Sequence, residues 1–249
     1  MVSSASPAFL QRGTDYVRRR GLRSAAAQVV RHAKDALWVD DSHVWYALDL
    51  GARDAPRHLP PGLHLVRASE GIVDALEHLD TIGPLAARER LRDGAELWMA
   101  LTASSTPAFA CWLFRDRTPV FAAASGSVRL PDGVAALEDS ITAPAYRGLG
   151  LAPAVWTRVA ASAAEAGFHT IITTIGIDNA ASRKAVAKVG FRAFAIDEHR
   201  RRFGRRRVRI WTDGSELGDE LAAYLPASRS SDPPPESLVA APALRVVTD

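Results

Sequence analysis

Residues 146–152 read Tyr146-Arg147-Gly148-Leu149-Gly150-Leu151-Ala152, a glycine-spaced segment between a stretch of strand character and one of helix character. A chain passing from strand into helix leaves several backbone N–H groups without intrahelical partners, and the macrodipole makes that end attractive to an anion. Glycines at 148 and 150 let a phosphate approach the backbone with no side chain in the way. Pro153 then fixes the first turn of the helix. This is the build of a phosphate cradle. A Walker loop is excluded, because no Gly-Lys-Ser/Thr follows the glycines. A dinucleotide fingerprint fails as well, since Pro153 stands at its last Gly/Ala position and Asp178, roughly 30 positions on and followed by a helix start, does not replace the ribose contact.

The cradle has to be positioned by the elements around it. Leu63–Ala68 reads as a strand, Ile72–Leu79 as a helix, and Pro84–Arg92 as a second helix whose first position suits proline. Glu96–Thr102 and Ala108–Phe114 read as paired strands joined by a polar turn. Val134–Thr142 is a further strand, Ala152–Ala166 a long helix, Thr170–Ile177 a strand and Ala180–Val189 a helix stopped by Gly190. Phe191–Arg202 and Arg205–Trp211 read as a hairpin turning at Phe203-Gly204, and Glu216–Leu225 as a last helix. Upstream, Asp15–Trp38 has the spacing of an arginine-rich amphipathic helix, and His43–Leu50 alternates like a strand. Strands and helices are mixed, with adjacent strands before the long helix, so the expected class is α+β (mixed α/β). The proline-bearing stretch Gly51–Gly62 sets a boundary. The expected organisation is an N-terminal helix-strand extension over 1–60, a main domain over 61–225 and a disordered tail over 226–249.

The spacing Arg147-x-x-Gly150-x-Ala152 resembles the Arg/Gln-x-x-Gly-x-Gly/Ala signature of the GNAT family of acyl-CoA N-acyltransferases. Downstream, Asn179-Ala-Ala-Ser182 opens a helix that Gly190-Phe191 closes, similar to the family's Asn-x-x-Ser and terminal Gly-Phe pattern. The element order from Leu63 to Asp213 is similar too. The resemblance implies a central mixed sheet flanked by helices, with acetyl-CoA or another acyl-CoA as donor and no metal. It also implies that the backbone N–H groups of Gly148, Leu149, Gly150, Leu151 and Ala152 hold the pyrophosphate. The strand end Ser140-Ile141-Thr142 would pair with the pantetheine arm, splayed from its neighbour to admit it. Asn179 and Ser182 would lie beside the pantetheine and thiol end. Asn179 is equally a good helix cap.

Acyl transfer to an amine needs the nucleophile neutral, and a carboxylate within reach can take the ammonium proton. The period of two puts Glu138 on the same side as Ser140 and Thr142, and Asp139 on the other. An acidic residue near this place is frequent in the family, so Glu138 is the expected base. Its other reading is a salt-bridged carboxylate at a strand edge. A backbone N–H near Ile141 would polarise the thioester carbonyl. Many members carry a tyrosine seven positions after the helix-opening asparagine, to protonate the thiolate. Here that position is Val186, which leaves the general acid open between Ser182 and water. It also keeps alive a module that binds or senses acyl-CoA without transfer.

Composition narrows the setting. The chain has 249 residues, 47% hydrophobic and 24% charged, which excludes disorder throughout. One cysteine removes a disulfide framework and a cysteine-built metal site, and the histidines are scattered. No apolar run approaches the length of a membrane span, and the N-terminus lacks a signal-peptide pattern, so a soluble cytoplasmic protein is expected. Arginine outnumbers lysine 28 to 3, which reads mainly as codon bias. Seven of those arginines fall within 200–209, and without them the formal charge drops from +3 to −4. Arginine forks suit phosphate or carboxylate. An anionic small-molecule amine acceptor is therefore one reading of that hairpin, an RNA-associated role another, and a solvated hairpin a third. No aromatic interleaving supports base stacking, which disfavours nucleic acid. The first 60 residues are left to pack on the sheet, extend it or form a homodimer contact.

Overall fold

The segment Pro107–Phe114 is apolar without alternation, the pattern of a strand covered on both faces, and all eight of its residues are buried. The computed structural model of the chain describes residues 38–120, 126–202, 205–225 and 228–229. In chain order the strands are β1 (Trp38–Asp49), β2 (Leu63–Ala68), β3 (Glu96–Thr102), β4 (Pro107–Phe114), β5 (Arg117–Pro119), β6 (Ser127–Arg129), β7 (Val134–Thr142), β8 (Thr170–Gly176), β9 (Arg192–Arg202), β10 (Arg205–Thr212) and β11 (Ser228–Arg229). A 3-10 helix (Glu70–His78) follows β2. The α-helices are α1 (Pro84–Arg92), α2 (Leu151–Glu165), α3 (Ala180–Ala187) and α4 (Glu216–Tyr224).

Nine strands form one mixed sheet in the order β11-β10-β9-β1-β8-β7-β4-β3-β2, and β5 pairs with β6 separately. The antiparallel ladders β2–β3 and β3–β4 follow the alternation of the sequence. β7 and β8 are parallel, joined through α2, and β1 pairs antiparallel with β8 from His43↔Gly176 to Asp49↔Thr170. β1 thus lies inside the sheet, between β8 and β9. One face buries Trp45, Met99 and Trp112 beneath the 3-10 helix, α1 and α4; the other buries Phe109, Leu137 and Ile171 beneath α2 and α3. Each such side chain contributes roughly 1.5–3 kcal/mol by leaving water.

The clusters of contact divide the chain into two units, 42–198 with 208–249 and 1–41 with 199–207. Within the latter, Arg200 and Arg202 of the arginine-rich hairpin face Asp40 at 3.3 and 2.9 Å.

Several elements differ from the sequence reading. The helix expected at Ile72–Leu79 is a 3-10 helix, and β5 and β6 were too short to show a period. Ser228–Arg229, within the expected tail, pair in parallel with Arg209 and Ile210. The helix expected over Asp15–Trp38, the turn Phe203-Gly204 and the rest of the tail lie outside the described residues, apart from Trp38, which starts β1.

Candidate active site

The parallel ladder between β7 and β8 stops at Ala136↔Ile172. Beyond it, the N–H of Thr174 donates to Oε1 of Glu138 at 2.9 Å rather than to a β7 carbonyl. The Thr174 hydroxyl lies 3.1 and 3.0 Å from the two carboxylate oxygens. A side chain thus stands where a strand contact would be, and the two strands are apart at their C-terminal ends.

On its other edge β7 carries a bulge. Glu138 faces Trp112 and Ile141 faces Ala110, so Asp139 and Ser140 together oppose Cys111 alone. Asp139 adopts φ +49° to accommodate the extra residue. The one-face alternation expected for Glu138, Ser140 and Thr142 is therefore broken. Glu138 lies on the face of Trp112, whereas Thr142 lies opposite Phe109 on the other. Ser140 accepts a hydrogen bond from Trp156 Nε1 of α2 at 3.0 Å, on that second face.

A cavity of about 300 Å³ occupies the gap, lined from both faces of the sheet. Ser140, Trp156, Asn179, Ser182 and Val186 contribute from the side of α2 and α3. Glu138, Thr174, Arg90, Trp45, His43 and Asp197 contribute from the other. Glu138 is only 8% exposed. Desolvation pushes its carboxyl up to about 8 and outweighs the stabilising hydrogen bonds from Thr174; the charge of Asp139 raises it further and that of Arg90 lowers it. A carboxyl that titrates near neutrality is suited to exchange a proton with a substrate. Arg90 is held 2.5 Å from Asp139 and stacks over the rings of Trp112 and Phe114, at 5.3 and 5.5 Å.

The glycine segment leads directly into α2. Gly148 and Gly150 have φ of +79° and +72°, and Gly150 is the cap. A Cβ at either position would meet nothing within 4 Å, so the requirement is the left-handed backbone, with open space above it. Among the described residues, the N–H groups of Gly148, Leu149 and Gly150 donate to no backbone carbonyl. With the first N–H groups of α2, at Leu151 and Ala152, they make a run of backbone donors at a helix start, where an anion is favoured. Arg147 points back, donating from Nε to the Thr142 carbonyl at 3.3 Å.

Asn179 does cap α3: its side-chain oxygen accepts the N–H of Ser182 at 3.1 Å. Both residues also line the cavity. Asn179→Ala should lower stability by about 1 kcal/mol in denaturant unfolding. An unchanged midpoint would show that the cap contributes nothing to folding. Among the described residues no cluster of His, Cys, Asp and Glu could hold a metal ion, and no helix is long and apolar enough to cross a membrane.

Sequence reasoning passed over His43, Thr174 and Asp197. The legible signal was in β9, where Asp197 and Glu198 interrupt the apolar run Phe194-Ala195-Ile196, and both are buried. Burial of adjacent acids in a strand calls for partners. One is Trp45, whose Nε1 donates to Asp197 Oδ1 at 2.7 Å.

The mixed sheet opens beside the glycine loop, with a buried carboxyl in the opening. Residues 74–191 match the model of the acetyltransferase (GNAT) family. The matched segment includes Glu138, the 147–152 loop, Asn179 and Ser182; His43, Trp45 and Asp197 lie outside it. Solved structures similar to the chain include a GCN5-related N-acetyltransferase from Sphaerobacter thermophilus (11% identity, 70% of this chain and 54% of that one, TM-score 0.47). Others are a tandem GNAT protein from the clavulanic acid biosynthesis pathway (19%, 75% and 57%, 0.47) and an acetyltransferase from Trypanosoma brucei (21%, 53% and 93%, 0.39). The chain spans little more than half the length of the first two. No curated protein matches it in sequence.

Proposed function

We propose that the chain is an N-acyltransferase that moves the acyl group of an acyl-CoA, acetyl-CoA first among them, to a primary amine of a small molecule. The observation that carries this reading is the opening of the sheet past Ala136↔Ile172, with Glu138 seated in it. In this reading the N–H row from Gly148 to Ala152 holds the pyrophosphate, and the free edge at Ser140, Ile141 and Thr142 receives the pantetheine arm. Asn179 and Ser182 lie toward the thiol end. Glu138 takes the proton of the acceptor's ammonium. The neutral amine attacks the thioester carbonyl, a C–N bond forms, and the C–S bond breaks to release the thiolate. Val186 is buried hydrocarbon and has no proton to give, which leaves the Ser182 hydroxyl or solvent to protonate the thiolate. The single buried cysteine and the use of acyl-CoA support a cytoplasmic location in this reading.

The test is a screen of amino sugars, nucleotide sugars, amino acids and polyamines with acetyl-CoA, scored by thiol release. The protein's own thiol does not interfere, because Cys111 is fully buried and desolvation pushes its ionisation well above the usual thiol range. Release of CoA with one class of amine is the expected result. Tight CoA binding with no turnover across the panel would leave a sensing module instead.

A further inference from the structure

Asp197 is 1% exposed and lines the cavity. Its Oδ1 is satisfied by Trp45, but its Oδ2 is buried with no hydrogen-bond donor. Nδ1 of His43 lies 3.6 Å from Oδ2, an ion-pair distance when the ring is protonated but beyond hydrogen-bond range. A buried carboxylate oxygen without a donor is costly. No hydrogen bond supplies the missing donor. Glu138 and Asp139 are acidic neighbours in the same cavity, and Arg90 is already closed on Asp139. What Oδ2 lacks is an N–H donor at hydrogen-bond distance.

The sheet also fixes where that donor would sit. Asp197 on β9 bonds to Trp45 on β1, Trp45 lies opposite Thr174 on β8, and Thr174 bonds to Glu138 on β7. Glu138 and Asp197 are thus the two ends of one row across four adjacent strands. Two strand spacings of about 4.8 Å and the wider gap between β7 and β8 separate their backbones, too far for one nitrogen to touch both carboxylates.

We propose that Asp197 seats a positively charged nitrogen of the acceptor, separate from the amine that reacts beside Glu138, so that the acceptor is a diamine or a similarly dicationic molecule. This rests on the acyl-transfer reading, and it makes Asp197 a specificity residue for the acceptor.

The indole N–H of Trp45, bonded to Asp197, reports on the seat directly. In 15N-labelled protein, with the Trp45 resonance assigned from its loss in Trp45→Phe, n-butylammonium chloride should shift that signal saturably while n-butanol leaves it in place. Asp197→Asn should abolish the response, and His43→Gln should keep it. An absent response, or an equal one to the alcohol, overturns the proposal. Should Asp197→Asn fail to fold, the wild-type comparison of ammonium with alcohol decides alone. In turnover with acetyl-CoA, 1,4-diaminobutane should exceed 4-aminobutan-1-ol in kcat/KM by about 30-fold or more in the wild type. The two should converge in Asp197→Asn, and equal rates in the wild type would overturn the second-charge assignment. CoA titration of the Gly148–Ala152 amide signals tests the donor site independently. Its failure would sink the acyl-transfer reading without touching the ammonium response.

Discussion

Glu138→Gln should lower kcat/KM by about a hundredfold to ten-thousandfold, the usual worth of a positioned proton acceptor. In the wild type, log kcat/KM should climb by one decade per pH step up to about 8 and then level off, because only the ionised carboxyl accepts a proton. The variant should lose that slope. A wild-type profile that is flat between pH 6 and 9 would remove Glu138 from the role. The same residue sets a stability trend of opposite sense. Its folded-state pKa is raised above the value of 4.5 for the free group, so the native state holds the proton more tightly. The stabilisation is complete below pH 4.5 and is lost as the pH rises through about 8. Glutamine keeps an oxygen for the Thr174 N–H and carries no charge to bury. Thermal unfolding at pH 5 and pH 9 should therefore show the variant gaining on the wild type at the higher pH. An equal difference at both would mean that the carboxyl is solvated.

Gly150→Glu should weaken CoA binding by about 100-fold, as expected for a fixed negative charge facing a phosphate at partly screened distance. Two effects are present, and Gly150→Ala separates them. At φ +72° any L side chain is strained, at roughly 1–2 kcal/mol, but a methyl group there meets nothing and blocks no donor. Alanine should thus lower the melting temperature while leaving CoA affinity within a few-fold. Calorimetric titration of both variants with CoA checks this. If glutamate binds as tightly as alanine, the donor row at α2 does not hold the pyrophosphate.

The middle of the chain was readable because its signals are local. Pro84 at the start of α1, the alternation of β3 and the glycines around α2 each act within a few residues. The bounds read for α1, β3 and β7 are those observed. Two features escaped for physical reasons. Alternation assumes that each residue of a strand opposes one residue of its partner, and the doubled position opposite Cys111 violates this. Nothing in Leu137-Glu138-Asp139-Ser140 announces it. The position of β1 between β8 and β9 is a choice of partner far away in sequence, decided by burial of Val44, Trp45 and Tyr46 rather than by their spacing. The glycine loop was legible because its geometry is dictated by the residues that form it. The wall made by His43, Trp45 and Asp197 is assembled from positions more than 150 apart, as the Trp45–Asp197 separation of 152 shows.

The two walls of the opening have separate sources. One comes from α2 and α3 inside the family-matched segment; the other draws on β1 and β9, which lie beyond its two ends. Heredity can act on them independently. In the proposed roles, substitutions along β1 or β9 would retune which amine is accepted while the donor machinery stays intact, so a lineage could change its acceptor without first losing its cosubstrate.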